Sequence, residues 1–138
     1  MRVPGCGPTP CDFFFCGPYP GAEEARCGEP FVGRTSRDFM NRLLPAVSLQ
    51  RNDVFLTNIH RDFRPEGVWT HEETAADLAD LQDELARVQP RIIIPIGADA
   101  TRHFLSPEVD LDEVHGIGWT DPHDDTRLIF PVTHVAAY

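Results

Sequence analysis

The chain has 138 residues, of which 41% are apolar, 25% charged and 9% aromatic. This composition is typical of one globular domain, predicted over residues 1–138, and a chain of this length buries a sizeable core without disulfides or a structural metal. Its longest apolar run, at 92–96, is far shorter than the ~20 residues of a membrane span, and no signal-peptide pattern opens the chain. We therefore expect a soluble, cytoplasmic protein without membrane contact.

The charge is uneven along the chain. Twelve basic residues, all of them arginine, are outnumbered by 22 acidic residues, so that the formal net charge is −10. The acidic residues concentrate at 71–90 and 106–125, with net charges of −5 and −7, whereas the remainder is net +2. Such acidic segments are typical of a solvated face. The net charge on its face argues against a partner as anionic as nucleic acid. Whatever binds an anion should use the remainder, where five arginines flank the motif-like stretches: Arg26, Arg34, Arg37, Arg61 and Arg64.

The first predicted elements follow a turn-rich opening. The aromatic run at 11–16 predicts a strand covered on both faces. The Gly-Pro-Tyr-Pro-Gly stretch at 17–21 predicts a rigid loop at the carboxyl end of that strand. Apolar residues at helical spacing over 39–47 predict a helix, which Thr35 or Ser36 would cap. Pro45 predicts an early end or a kink in this helix.

Strands and helices alternate along the rest of the chain. The predicted elements are strands at 54–59, 91–97 and 127–132 and helices at 72–89 and 98–105. Thr70 and Glu73 form the pattern of a capping box before the longer helix. This alternation predicts an α/β fold with a parallel sheet and helices on both faces, whose ligands bind beyond the carboxyl ends of the strands.

Side chains that could carry chemistry follow the ends of the predicted strands. Asn58 offers a donor and an acceptor side by side, which match the O4 and N3–H edge of uracil or thymine. His134 could donate a hydrogen bond to a developing oxyanion, and Phe31 could stack on a base. Each residue also has an ordinary structural interpretation: Asn58 as a loop brace, His134 as a satisfied polar residue and Phe31 as part of the core.

The four cysteines lack the C-x-x-C pair that most zinc and iron–sulfur sites use. Cys6, Cys11, Cys16 and Cys27 are spaced 5, 5 and 11 residues apart. Without a secretory signal, a disulfide framework is not expected either. The sequence therefore predicts inert cysteines, no metal site and no cofactor.

Several stretches together resemble the uracil-DNA glycosylase superfamily, and most closely its family-4 branch. The order and spacing of these stretches hold over nearly the whole chain. They are Phe15-Cys16-Gly17-Pro18-Tyr19-Pro20-Gly21-Ala22-Glu23-Glu24, Gly28-Glu29-Pro30-Phe31-Val32-Gly33-Arg34, Val54-Phe55-Leu56-Thr57-Asn58, Pro90-Arg91-Ile92-Ile93-Ile94-Pro95-Ile96-Gly97 and Pro131-Val132-Thr133-His134.

The resemblance implies a three-layer α/β/α fold with a four-stranded parallel sheet that binds an extruded pyrimidine. It also implies that the base stacks on Phe31, is read by Asn58, and leaves as an anion whose O2 is stabilised by His134. The loop that approaches the base would contribute Gly17, Pro18, Tyr19 and Gly21. The implied activity is hydrolysis of the N-glycosidic bond of uracil or a modified pyrimidine in DNA.

The chain departs from the family-4 pattern in its first motif. That branch reads Gly-Glu-Ala-Pro-Gly where this chain reads Gly-Pro-Tyr-Pro-Gly, so no acid stands at Pro18 or at Tyr19. A positioned base typically contributes ~10²–10⁴-fold to a rate. Glu23, Glu24 and Asp62 are the candidate replacements, and Tyr19 could act as a steric gate instead.

Two further departures concern the cofactor and the substrate. The cluster cysteines of the family-4 branch have no counterparts here, so an iron–sulfur cluster is not expected. The sequence ends four residues after His134, without the segment that inserts an apolar wedge into duplex DNA in relatives. Single-stranded DNA, or a free pyrimidine nucleotide or base, is therefore the expected ligand, because an unpaired base avoids the cost of unstacking.

Two other functions are compatible with the same sequence. One is a catalytically degenerate module that binds a pyrimidine, a nucleotide or DNA without turnover. The other is an interaction module whose acidic helix at 72–89 docks a basic protein partner.

Overall fold

The computed structural model describes residues 2–133, in which five strands form a single sheet. The strands are β1 (Phe13–Gly17), β2 (Phe55–Asn58), β3 (Ile92–Pro95), β4 (Trp119–Asp121) and β5 (Asp124–Ile129). The helices are α1 (Ala22–Cys27), α2 (Arg34–Ala46), α3 (His71–Val88), α4 (Ala98–Phe104) and α5 (Leu111–Val114). A 3-10 turn at Arg51–Asp53 precedes β2.

The strand order is β2-β1-β3-β5-β4. The first four of these strands run parallel, and β4 pairs antiparallel with β5 at the edge. The sheet therefore has five strands, and the predicted four-stranded, wholly parallel sheet was wrong in this respect. The sequence pattern did not predict the short strand β4, because its residues are mostly exposed and lie in the acidic stretch. A turn in which the backbone N–H of His123 donates to Asp121 joins it to β5.

Helices cover both faces of the sheet, as the strand–helix alternation predicts. Phe14 and Cys16 of β1 pack into one core with residues of α3 and α4, whereas Phe15, between them, packs into a second core with residues of α2. Successive strand residues point to opposite faces. The aromatic run of β1 is buried on both sides for this reason, and the fold has three layers.

The longest helix, α3, begins and ends at the predicted signals. The Thr70 hydroxyl accepts from the Glu73 N–H at 3.1 Å and the Glu73 carboxylate accepts from the Thr70 N–H at 2.9 Å, which confirms the capping box. The helix ends at Val88, before Pro90. Within residues 2–133, no helix is long and apolar enough to cross a bilayer.

Helix α2 differs from its prediction at the start. Gly33 is its N-cap residue, so Thr35 and Ser36 lie in the first turn rather than at the cap. Pro45 is the penultimate residue of the helix, in agreement with an early end. The sequence pattern did not reveal α1 and α5, because helices of six and four residues are too short to display a periodic apolar face.

A buried ion pair joins the amino-terminal segment, β2 and α3. Arg61 donates to both oxygens of Glu84, at 2.7 and 2.8 Å, and both residues are buried. The Thr57 hydroxyl and the backbone N–H of Gly5 donate to the same carboxylate, at 2.7 and 2.8 Å. Glu84 of α3 therefore accepts four hydrogen bonds from three residues, one in the amino-terminal segment and two in β2 and the loop after it.

We predict that Glu84→Gln lowers the free energy of unfolding by about 3–5 kcal/mol, because it leaves the buried Arg61 without a counterion. Urea unfolding monitored by circular dichroism measures the change. Glu72→Gln, at an exposed position of the same helix, is the matched control and should change stability by less than about 0.5 kcal/mol. Equal stability of the two variants would contradict a structural role for the ion pair.

Candidate functional site

A small cavity lies at the carboxyl edge of the sheet. Its volume is about 220 Å³, which is below the ~300–1,000 Å³ typical of sites for drug-sized ligands and suits a single heterocycle. Gly17, Asn58 and Ile96, at the ends of β1, β2 and β3, line it. The other lining residues come from the loop after β1, from α1, from the Phe31 loop and from the first turn of α2: Pro18, Tyr19, Pro20, Gly21, Glu24, Phe31, Thr35 and Ser36.

Asn58 brings a buried amide to this cavity. It ends β2, opposite Gly17 of β1, and only 4% of its surface is exposed. Within residues 2–133 its side-chain amide has no hydrogen-bond partner, and it opens onto the cavity rather than being enclosed in the core. The amide is therefore available to a ligand that offers both a donor and an acceptor.

Gly17 is required where the strand meets the Asn58 side chain. A Cβ atom at this position would lie 2.5 Å from the Asn58 Oδ1 and 3.2 Å from the Cζ of Phe31. Any larger residue would therefore displace the amide or the ring. The absence of a side chain on Gly17 lets both groups reach the same small space.

Phe31 lies on the opposite wall in a strained backbone conformation. Its φ is +56°, in the left-handed region, and its side chain is buried in the core beneath α2. Arg51 donates to the carbonyl oxygen of Phe31 at 2.9 Å and also to that of Pro30. A non-glycine residue in this region costs of order 1–3 kcal/mol and persists only when its surroundings hold it. The Arg51 guanidinium provides that restraint.

Glu24 ties the two walls of the cavity together. One oxygen of its buried carboxylate accepts from the Gly21 N–H at 3.0 Å. The other accepts from the N–H of Val32 at 2.8 Å and from that of Gly33. The loop after β1 and the Phe31 loop are thus fixed to one side chain.

This arrangement of an amide, a ring and a glycine-walled cavity at the strand ends agrees with the family comparison. Residues 4–138 match the family model described as the uracil DNA glycosylase superfamily. The chain belongs to this superfamily.

Curated relatives within the uracil-DNA glycosylase superfamily carry the name type-4 uracil-DNA glycosylase. The protein from Sulfurisphaera tokodaii is 28% identical over 98% of this chain and 64% of its own length. Those from Archaeoglobus fulgidus and Thermotoga maritima are 33% and 32% identical over 75% and 85% of this chain, and 52% and 62% of their own lengths. These relatives confirm the resemblance to the family-4 branch. The chain spans between about half and two thirds of the length of the relatives it matches.

Of the residues that the uracil-DNA glycosylase resemblance singles out, most line one cavity. They are Gly17, Pro18, Tyr19, Gly21, Glu24, Phe31 and Asn58. His134 lies outside the described residues. Val132 forms a parallel bridge with Ile96, which lines the cavity, so the described chain reaches the same sheet edge two residues before position 134.

Asp62 and Glu23 do not line the cavity. The Asp62 carboxylate accepts from the Trp69 indole N–H at 3.1 Å and from Arg64 at 3.3 Å, and so braces the loop after β2. Glu23 is exposed on α1, and its hydrogen bond from Arg26 lowers the pKa of its carboxyl. Among the three candidate replacements for the missing acid, the geometry thus favours Glu24.

The cysteines do not fit an iron–sulfur cluster. Cys11 and Cys16 are buried thiols that donate to backbone carbonyls, and burial raises the pKa of Cys16 far above its usual value. Cys6 and Cys27 are exposed. Within residues 2–133, no group of three or more potential ligand side chains could hold a metal ion.

Many of the charged side chains that the sequence suggested for contacts with a binding partner instead pair with groups of this chain. Four of the five arginines near the motifs are engaged: Arg26 with Glu23, Arg37 with the Val32 carbonyl, Arg61 with Glu84 and Arg64 with Glu73. Four of the six acids of the 72–89 helix are also paired: Glu73, Asp77, Asp80 and Glu84. The structural support for a basic protein partner on this helix is correspondingly small.

Sequence patterns did not indicate the residues that support the site. Arg51 stands in an unremarkable turn, and its contact with the Phe31 loop spans 20 residues of sequence. Trp69 and His60, which stack beside Tyr19, lie in a loop without periodicity. Nothing in the sequence shows that Phe31 adopts a positive φ, so the need for a residue that restrains it was not predictable.

We predict that Arg51→Met releases the Phe31 loop, because methionine keeps the length of the side chain but cannot donate to the two carbonyls. The nuclear Overhauser contact between the Phe31 ring and the Gly17 α protons should weaken or disappear, whereas Arg51→Lys should retain part of it. Arg91→Met, at an exposed position, is the matched control. An unchanged contact in Arg51→Met would show that Arg51 does not position the ring.

Proposed function

We propose that this protein removes uracil or a modified pyrimidine from DNA by hydrolysing the N-glycosidic bond, with single-stranded DNA as the preferred substrate. The observation that carries the proposal is the buried Asn58 amide, unpaired within residues 2–133 and adjacent to the Phe31 ring in a cavity of about 220 Å³. The names of the curated relatives support the same activity. An unpaired base enters such a cavity without the few kcal/mol that unstacking costs in a duplex.

The cavity suggests how a pyrimidine is recognised. The Asn58 amide would donate to O4 and accept from N3–H, while the ring stacks on Phe31. Gly17 leaves room for the base because a Cβ atom there would occupy the space between these two side chains. Cytosine would meet the same amide only after a flip of the Asn58 side chain, because it presents a donor at N4 where uracil presents the O4 acceptor.

Bond cleavage leaves charge on both fragments. The C1′–N1 bond breaks with its electron pair on the base, and a water oxygen then bonds to C1′ and releases a proton. The resemblance assigns His134 to stabilise the anion at O2. A single oxyanion donor of this kind typically contributes ~10²–10³-fold to the rate.

Glu24 is the proposed residue for the water. Two carboxylate oxygens offer about four acceptor sites, and three backbone N–H groups already use three of them. One site remains, on the oxygen that Gly21 contacts. Glu24 would thus orient one water molecule while its main role is to hold the cavity walls.

A groove along α2 is the proposed contact for the DNA backbone. It adjoins the base cavity at Thr35 and has a volume of about 410 Å³, and its charged lining residues are Arg34, Asp38 and Arg42. Neither arginine forms an ion pair with another described residue, which contrasts with the paired arginines around the loops. An unpaired guanidinium group suits a DNA phosphate, because neutralising the phosphate releases the counterions that the DNA had bound.

The central prediction is that the full chain releases uracil from a single-stranded oligonucleotide, measured as alkali-sensitive sites. Asn58→Leu should reduce kcat/KM by about 5- to 150-fold, since a bidentate base contact is worth ~1–3 kcal/mol, and His134→Ala should also reduce it. Asn41→Leu, the same substitution at an exposed position of α2, should retain activity. The duplex form of the same oligonucleotide should react more slowly.

A base-binding module without turnover is the second candidate, because no acid occupies position 18 or 19. Calorimetric titration with free uracil separates the two functions. Binding without release, even at high protein concentration, would exclude the glycosylase and support the module. Absence of both would exclude the two functions together.

For the α2 groove, we predict that Arg42→Gln makes DNA binding less dependent on salt. The slope of log affinity against log salt concentration should fall by about 0.7–1, the value of one phosphate contact. Arg87→Gln, at an exposed position of α3, should leave the slope unchanged. Equal slopes for all three proteins would place the DNA backbone elsewhere.

A further inference from the structure

A second cavity adjoins the base cavity on the side away from α2. Its volume is about 580 Å³, and Pro18 and Tyr19 line both cavities. We call it the aromatic groove because Tyr19, His60 and Trp69 form much of its wall. Arg102 and His103 of α4 also line it. None of these α4 residues belongs to the base cavity.

The rings in the aromatic groove support one another. The rings of Tyr19 and Trp69 lie 5.1 Å apart with an angle of 52° between them. Trp69 stacks almost parallel on His60, at 3.8 Å and 3°. The His60 Nδ1 lies 3.1 Å from the carboxylate of Asp77, which is buried. The position of Tyr19 at the rim is therefore fixed through a chain of contacts that ends inside the protein.

The groove presents unusually open aromatic and apolar surface. Tyr19 is 41% exposed and Val68 is 63% exposed. A large part of Tyr19 is thus accessible at the rim of the groove. A ring that is held rigidly and left open is an efficient stacking platform, because little conformational entropy remains to be lost on binding.

Arg102, the arginine that lines the groove, makes only weak contacts with other groups of the protein. Arg102 lies 3.7 Å from Asp99 and donates to the Val109 carbonyl at 3.3 Å, both long contacts. Burial, with a smaller contribution from His123, lowers the pKa of His103, which favours its neutral form. Arg102 is the arginine beside the rings.

We propose that the aromatic groove binds the nucleotide next to the target nucleotide, with its base against Tyr19 and its phosphate near Arg102. This inference rests on the proposed function, because the base cavity holds the target. Aromatic platforms combined with cations are typical of sites for single-stranded nucleic acid. The shared wall formed by Pro18 and Tyr19 makes the two cavities neighbouring subsites, as consecutive nucleotides require.

The test compares two ligands by calorimetry: free uracil, which occupies only the base cavity, and a trideoxynucleotide with central 2′-fluoro-2′-deoxyuridine. The electron-withdrawing fluorine opposes bond cleavage. Arg102→Gln, which lines the groove and not the base cavity, should weaken trinucleotide binding and leave the affinity for free uracil unchanged. Trp69→Leu, which removes the ring that supports Tyr19, should weaken trinucleotide binding by about 10-fold or more, the usual contribution of one stacked base.

The matched controls are Trp119→Leu on β4 and Arg91→Gln, which should leave both affinities unchanged. If Trp69→Leu fails to fold, the trinucleotide affinity of Arg102→Gln decides whether the proposal holds. Unchanged trinucleotide affinity in a folded groove variant would overturn the proposal and leave the groove to another class of ligand, such as a peptide.

A separate measurement distinguishes failure of the groove from failure of the proposed function. In Trp119→Phe, Trp69 is the sole tryptophan of the chain, and its fluorescence is titrated with oligothymidylate, which contains no uracil. If the wild-type protein neither binds nor releases uracil, the proposed function fails. Quenching of Trp69 would then still support a nucleotide in the groove, and an unchanged signal would overturn the groove as well.

Discussion

The three backbone hydrogen bonds to the Glu24 carboxylate are the constraint on which the candidate site depends. They connect the N–H of Gly21, after β1, with those of Val32 and Gly33, after the Phe31 loop. Two loops that the sheet does not join are thus held at a fixed separation. Charged acceptors make stronger hydrogen bonds than neutral ones, so one buried carboxylate can set the width of the cavity.

Two unusual local features lie at this cavity. Phe31 has a positive φ, and the Asn58 amide faces the cavity without a partner among residues 2–133. The positive φ costs free energy in the unliganded protein. That cost is offset elsewhere, for example by the four hydrogen bonds to the buried Glu84. This distribution is typical of a site that is organised before its ligand binds, and it is consistent with membership of the uracil-DNA glycosylase superfamily.

The net charge of −10 gives a poor description of the surface that a ligand meets. Several acids of α3 are directed to internal partners, among them Asp77 and Glu84. Arg34 and Arg42 remain without ion pairs to described residues in the groove beside the base cavity. Local charge, rather than the total, therefore decides whether an acidic protein can approach DNA.

The sequence by itself determined the order of the main strands and helices, because apolar periodicity, the Thr70 cap and the proline stops are local signals. The resemblance to the superfamily also identified Gly17, Phe31 and Asn58 as site candidates. Only the tertiary structure decided that β4 adds an antiparallel edge, that Glu24 rather than Asp62 lines the cavity, and that Arg51 restrains Phe31. These features depend on contacts between residues distant in the chain, and such contacts leave no periodic trace in the sequence.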